Sequence, residues 1–239
     1  MGEGQGLTMA TLQEQIEKAV REAVHRDRYR DSPKDREVAR HELGHALADF
    51  VCHPGLMHSV VMRDDGSGEV LNRTLPRPAG MSADESEDEI IARLRRDHPA
   101  ELEKAMARGV TTLLAGREAD LFGEEMGFPP VPAGVSRNDF EEADRRAVLA
   151  VGREGRDRLI EACRAQAAEI VRAGWPIIHG DLEALLVYER ELPGPVVETL
   201  MEERPLACSL REAYPLRTPS TSGTPLPPAP DADDWWSDD

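Results

Sequence analysis

Cysteine, aromatic residues, positive charge and long apolar runs are all scarce in this sequence. Only three cysteines (Cys52, Cys163 and Cys208) occur among 239 residues, and their spacing is unpaired. They predict neither a disulfide framework nor a cysteine-based metal site, and they suit a reducing, cytoplasmic compartment. No apolar stretch approaches the roughly 18 residues that a membrane-spanning helix needs. The amino terminus also lacks the basic and apolar regions of a secretory signal peptide.

The shortage of basic residues limits the classes of partner. The 29 Lys and Arg residues face 46 Asp and Glu residues, so the formal net charge is −17. A chain this acidic is repelled by a nucleic-acid backbone and by an anionic membrane surface, and neither is expected as a partner. Aromatic residues make up 4% of the chain and hydrophobic residues 40%. The core is therefore expected to consist mostly of Leu, Val, Ile, Ala and Met.

Composition divides the chain into three parts. Residues 1–10 are expected to be flexible, and residues 11–203 have the apolar periodicity of one folded domain. Residues 204–239 predict a disordered, Pro-rich acidic tail, with seven prolines between positions 205 and 230. Near the end of this tail, Trp235-Trp236 is either a short anchor for a partner or for the domain itself, or part of a random end.

The periodicity within the domain predicts a mainly α fold with a small β-hairpin. The predicted strands are 59–63 and 69–74, on either side of a Gly-rich turn. The hairpin either holds an extended peptide along its edge or only covers the core, and the sequence leaves both open. Helices are expected at about 11–29, 33–52, 87–96, 99–123, from the Ser136–Asp139 cap through Ala147, and at 153–173, 177–190 and 195–203.

The most informative stretch is His41-Glu42-Leu43-Gly44-His45, a His-Glu-x-x-His pattern. The pattern arises by chance in some sequences, but here it follows a helix start, with Ser32 as N-cap and Pro33 at the first helical position. Residues four apart share one face of a helix, so His41 and His45 can bind a single zinc ion. Glu42 is offset from both and can take a proton from a water molecule at the metal.

A zinc site that does chemistry needs a third protein ligand and an open position. His53 and His58 lie in the short connection after the motif helix and are expected at the surface. Asp139 begins a predicted helix after a Pro-rich loop, where its side chain is free to project. The spacing along the chain does not decide whether Asp139 is a metal ligand or an ordinary acid in the first turn of a helix.

Three segments resemble the FtsH-type zinc metallopeptidases, peptidase family M41. The motif segment is similar to the family's His-Glu-Ala-Gly-His-Ala, and residues 114–120 are similar to its Gly-Gly-Arg-x-Ala-Glu. Residues 136–143 are similar to its Ser-x-Asn-Asp-hydrophobic-x-x-Ala. The resemblance spans roughly residues 33–203 in the family's order. It implies an FtsH-protease-like zincin domain that binds one zinc ion per chain, with Asp139 as the third ligand.

The sequence also departs from the family. It contains no Gly-x-x-x-x-Gly-Lys-Ser/Thr segment, and too few residues precede the motif for the ATPase domain of FtsH. The chain is thus expected to be a peptidase domain standing alone, without the family's own ATP-dependent activity. A separate ATPase or adaptor is a candidate partner. The oligomeric state is left unassigned.

Two functional classes follow from this sequence. The first is a zinc metalloendopeptidase with Glu42 as general base, which acts on unfolded or flexible protein. The second is a zinc-stabilised regulatory or adaptor module whose proteolysis is vestigial. The intact Glu42 favours the first, because holding zinc does not require it. An antirepressor-type protease fits the small size but leaves the segments around Arg117 and Asp139 unexplained.

Two acids are candidates for supporting the metal ligands. Asp120 and Asp144 are candidates for holding the imidazole N–H groups of the two histidines. Aspartates on helices are nevertheless more often solvated charges, and the sequence favours that interpretation for both.

Overall fold

The computed structural model describes residues 32–63, 65–72, 86–131, 136–204 and 211. Its helices are α1 (Pro33–Cys52), α2 (Glu87–Asp97), α3 (Pro99–Glu125), α4 (Arg137–Ile178), α5 (Asp181–Glu189) and α6 (Gly194–Glu202). Its strands are β1 (Met57–Met62), β2 (Gly68–Asn72) and β3 (Glu191–Pro193). The fold is therefore mainly helical, as predicted. The predicted helix 11–29 and nearly all of the predicted tail lie outside the described residues.

Helix α1 carries the His-Glu-x-x-His pattern through the centre of the molecule. It begins as the sequence predicts, because the Ser32 hydroxyl accepts a hydrogen bond from the Asp35 amide at 3.1 Å and Pro33 occupies the first turn. Every residue from Val38 to Cys52 is buried. The helix is enclosed on all sides, so its polar motif residues lie in the interior of the protein.

Small residues let the neighbouring helices approach α1 closely. A Cβ added to Gly44 would lie 2.7 Å from the Ala115 carbonyl oxygen, so the backbones of α1 and α3 nearly touch there. A Cβ added to Gly174 would lie 2.1 Å from Leu47 Cδ2, which brings α4 equally close to α1. The motif helix is thus wedged between α3 and α4, the two elements that supply the rest of the site.

The strands form an antiparallel sheet in the order β2-β1-β3. The predicted hairpin is confirmed, with Val60 opposite Val70 and Met62 opposite Gly68. Strand β3 pairs with β1 on its other side, where Leu192 lies opposite Val60. The sequence did not predict β3, because three residues are too few to show an alternating pattern.

Helix α4 consists of two helical segments that meet at a kink, in agreement with the two separate helices predicted from the sequence. Gly152 marks the kink, and its φ of 76° and ψ of 175° are not helical. The predicted helix 177–190 is instead divided, since Gly180 adopts φ 116° between α4 and α5. Glycine tolerates such angles because it has no Cβ. No helix in the described ranges is both long enough and apolar enough to cross a membrane.

Candidate metal centre

The two motif histidines face the third predicted ligand. One helical turn separates His41 from His45, and their Nε2 atoms lie 3.1 Å apart. Asp139, in the first turn of α4, places Oδ2 3.4 Å from each of these nitrogens. The histidines are buried, with 3% and 7% of their surface exposed. The three residues form a group able to hold a metal ion.

Hydrogen bonds on the far side of each imidazole fix its orientation. His41 Nδ1 lies 2.9 Å from Asp120 Oδ2, and His45 Nδ1 lies 2.7 Å from the carbonyl oxygen of Thr112. A carbonyl and a carboxylate only accept hydrogen bonds, so both Nδ1 atoms carry a proton. In the neutral imidazole the Nε2 lone pair then points at the other two ligand atoms. Three acceptors that converge in this way require a cation or a proton between them.

The separations among the three ligand atoms match what zinc requires. Two ligand atoms held about 2.0–2.1 Å from a zinc ion at a tetrahedral angle lie roughly 3.3 Å from each other. The observed separations are 3.1 Å between the two nitrogens and 3.4 Å from each nitrogen to Asp139 Oδ2. Two imidazoles and one carboxylate are also a ligand set known for catalytic zinc. The residues therefore fit the metal that the sequence predicts.

Gly116 leaves room for that metal. A Cβ added at this position on α3 would lie 2.3 Å from His45 Nε2 and 2.7 Å from His41 Nε2. It would thus occupy the space on which both nitrogens converge. The sequence placed Gly116 in a segment that resembles the FtsH-type peptidases, and the structure gives it a direct steric role.

Charge around the histidines favours a cation in this space. Burial alone lowers the pKa of His41, but the charge and hydrogen bond of Asp120, with Asp139, raise it to about 10. Burial raises the pKa of Asp139, but its hydrogen bonds to the two imidazoles outweigh burial and hold the pKa below its usual value. Without a metal ion, His41 therefore carries a proton at neutral pH, and a metal ion has to displace it.

Glu42 lies beside the ligands and under the hairpin. It is 5% exposed, and its Oε2 has no hydrogen-bond partner within the described part of the chain. A Cβ added to Gly68 would lie 2.5 Å from Glu42 Cγ, so β2 rests directly on this side chain. Burial raises the pKa of the Glu42 carboxyl, against the lowering effect of His45 and His41. A carboxyl with a raised pKa at this place is suited to exchanging protons near neutral pH.

No family model and no curated protein matches this chain.

The two predicted supporting acids have different positions. Asp120 is buried and holds His41 Nδ1, whereas the sequence favoured a solvated charge there. Asp144 instead pairs with Arg156 on α4 and does not reach an imidazole. The Thr112 carbonyl was not predicted at all, because a backbone acceptor can belong to any residue type and leaves no signal in a sequence.

The other histidines considered as ligands lie outside the group. His53 Nδ1 is 3.0 Å from Asp49 Oδ1, just beyond the end of α1. His58 is exposed on β1, as predicted. Neither belongs to the metal-binding group found among the described residues.

Proposed function

We propose that this chain is a zinc-dependent endopeptidase that hydrolyses peptide bonds in unfolded or flexible proteins. The observation that carries this proposal is the convergence of His41 Nε2, His45 Nε2 and Asp139 Oδ2 beside the Glu42 carboxyl. A structural zinc site is closed by four protein ligands, whereas a catalytic site has three and keeps one position open. Three ligands with an adjacent buried acid favour catalysis.

The resemblance to the FtsH-type peptidases supports this proposal at the site itself. Each of the three similar segments contributes to one place in the molecule. The first brings His41 and His45, the second Gly116 and Asp120, and the third Asp139. Segments far apart in the sequence that meet at one site favour an FtsH-protease-like domain.

The residues of the site divide the work of peptide hydrolysis. A zinc ion held by His41, His45 and Asp139 supplies Lewis acidity, which lowers the pKa of water toward about 7 and polarises a carbonyl. Glu42 accepts the proton of the attacking water and passes it to the leaving amine. Asp120 and the Thr112 carbonyl keep the imidazole rings in place. Cys52 is not a candidate nucleophile, because burial raises the pKa of its thiol to about 12.

The hairpin offers a place for the substrate. Strand β2 pairs with β1 on one side, and no other described strand pairs with it. Its first residue, Gly68, lies against Glu42. An extended peptide that pairs with the outer edge of β2 would therefore run past the general base. Only unfolded or flexible segments have backbone groups free for such pairing, which accounts for the proposed substrate class.

The substitution Glu42→Gln tests the chemistry. Glutamine keeps the shape of the side chain but cannot act as a base, so the variant should bind zinc normally. Hydrolysis of an unfolded, casein-like substrate should fall by about a hundredfold or more. Zinc content and cleavage rate are measured on the same preparations of both proteins. Absence of cleavage by the zinc-loaded wild type would overturn the endopeptidase.

One observation favours a second candidate, a zinc-stabilised adaptor with vestigial proteolysis. Glu42 is 5% exposed and covered by β2, so the site is closed in this conformation. In an adaptor the metal would only stabilise the fold. The wild type and Glu42→Gln would then show the same zinc-dependent rise in stability, and neither would cleave the substrate.

A further inference from the structure

The segment that leads from α3 to Asp139 is attached to α3 at Val131. The Val131 amide donates to Glu124 Oε1 at 3.3 Å, and the Val131 carbonyl accepts from Arg117 Nη1 at 3.2 Å. Both backbone polar groups of this buried loop residue are thus bound by side chains of one helix. Loop backbone usually bonds to water or to other backbone, so two side chains on one residue form a specific attachment.

Arg117 also borders the metal centre. Its Nη1 lies 4.0 Å from Asp120 Oδ2, the atom that holds His41 Nδ1, and 4.0 Å from Glu124 Oε1. Arg117, Asp120 and Glu124 follow one another at helical spacing and therefore lie on one face of α3. Only 16% of the Arg117 side chain is exposed. A single half-buried guanidinium therefore contacts the loop and lies beside the carboxylate that holds His41 Nδ1.

The same loop is attached a second time, three residues earlier. The Arg40 guanidinium lies 4.3 Å from the centre of the Phe128 ring, and it is held by the fully buried Glu183 at 2.9 Å. Arg40 directly precedes His41, and Arg117 directly follows Gly116. The loop is thus bound by two arginines that each adjoin a residue of the metal centre.

We propose that Arg117 and Glu124 form a clamp on Val131 that positions Asp139 for metal binding, an inference that rests on the proposed metal centre. Asp139 is the one ligand that does not lie on α1, and Val131 precedes it by eight residues. Holding the chain at a point eight residues before Asp139 reduces the conformations open to this ligand, so less conformational freedom is lost when a metal binds. The clamp residues are therefore positioning residues and do not themselves touch the metal.

Glu124 allows a test that leaves the residues around the metal in place. Glu124→Gln keeps an oxygen that can accept from the Val131 amide, whereas Glu124→Ala removes it. Zinc affinity, measured by competition with a chelator, should fall about 10-fold in Glu124→Ala and in Arg117→Gln. It should keep the wild-type value in Glu124→Gln. Arg172→Gln is the matched control, because Arg172 joins α4 to Glu125 of α3 through an exposed ion pair.

A double-mutant cycle shows whether the clamp acts through Asp139. Glu124→Ala should lower zinc affinity in the wild-type background and leave it unchanged in the Asp139→Ala background. Amide hydrogen exchange at Val131 in the metal-free proteins reports whether the clamp has been released. The same loss in both backgrounds, or unchanged affinity with Val131 released, would overturn the clamp alone. A wild-type chain that binds no zinc would overturn the proposed function together with the clamp.

Discussion

At the scale of single residues, Gly116 links the packing of the helices to the chemistry of the site. A side chain there would meet both metal-binding nitrogens within 2.7 Å. Because position 116 has no side chain, α3 passes directly over the imidazoles. The Nδ1 atoms of the two rings bond to the Thr112 carbonyl and the Asp120 carboxylate of the same helix. One helix thus supplies the space between the two imidazoles and the groups that orient them.

Gly116→Ala should therefore abolish high-affinity zinc binding. Its methyl group would occupy the space between His41 and His45, whose rings are held from behind by Asp120 and the Thr112 carbonyl. Gly123→Ala is the matched control on α3, since a Cβ there would meet Trp175 Cη2 at 3.4 Å, an ordinary contact. Metal analysis after dialysis and circular dichroism compare the two variants. Full zinc occupancy in Gly116→Ala would show that the metal does not bind between these histidines.

Much of the candidate site could be predicted at this scale. His41, Glu42 and His45 follow from one local pattern, because helical spacing determines which side chains lie together. Asp139 required the family resemblance, since spacing along a chain says little about contacts between distant elements. Asp120 was named but favoured as a solvated charge. Its burial depends on how α1 and α3 pack, which no local pattern contains.

At the scale of elements, the hairpin is attached to the end of the motif helix. Asp49 on α1 is fully buried, and its Oδ1 lies 3.0 Å from both Asn72 Nδ2 and His53 Nδ1. Asn72 is the last residue of β2, and Gly68, its first residue, rests on Glu42. The strand is therefore fixed to α1 at both ends, alongside the proposed base.

Asn72→Ala should loosen this strand without disturbing the metal. A hydrogen bond to a buried carboxylate contributes about 1.5–3 kcal/mol, so the end of β2 should exchange its amide hydrogens faster. The kcat/KM for an unfolded substrate should fall several-fold, while zinc affinity stays at the wild-type value. Ser67→Ala is the control, because the Ser67 hydroxyl donates to Asp65 within the exposed turn. Wild-type kcat/KM in Asn72→Ala would argue against substrate pairing along β2.

The elements themselves were predicted to different degrees. Helix α1 and the hairpin were predicted closely, because caps, turns and alternating patterns are local signals. The division at Gly180 was missed, since a glycine can end a helix or be carried within one. The two halves of α4 were predicted as separate helices, and the non-helical angles of Gly152 between them agree with that prediction. Strand β3 is defined by its pairing with β1, and a pairing between distant segments leaves no local signal in the sequence.

At the scale of the whole molecule, the metal centre links stability to pH. In the metal-free protein the pKa of His41 is raised from 6.5 to about 10. A histidine with a raised pKa stabilises the fold fully below pH 6.5, and this contribution is lost as pH rises through 10. Burial also raises the pKa of Glu42, whose ionisation then destabilises the fold in the same direction.

The metal-free protein should thus lose stability steadily from about pH 6.5 to pH 10. Urea unfolding in the presence of a chelator, at several pH values, measures this loss. Saturating zinc should reduce the slope, because metal binding has already displaced the proton from His41. Asp120→Asn should also flatten the curve of the metal-free protein, since it removes the charge that raises this pKa. A stability independent of pH in this range would contradict the buried charge pair.

Arg211, within the predicted tail, contacts the folded part of the chain. The Arg211 guanidinium lies 3.9 Å from the centre of the Phe50 ring, and Arg211 Nη1 lies 3.1 Å from Glu202 Oε1. Truncation after Arg204 should therefore lower the melting temperature by a few degrees relative to truncation after Arg211, about what 1 kcal/mol produces. Thermal unfolding of both truncated chains makes the comparison. Equal melting temperatures would place the domain boundary at residue 204, as predicted from composition.

The separation of the ligands along the chain has a consequence for the lifetime of the protein. His41 and Asp139 are 98 residues apart, so a bound ion acts as a cross-link across a long loop. Closing such a loop costs chain entropy that grows with the logarithm of its length, and the folded domain already holds this loop closed. An ion that binds only the folded state then stabilises it by mass action and must be released on unfolding. Zinc supply would thereby set how long each molecule survives in the presence of proteases. A chain that lost its metal would also lose this protection against degradation.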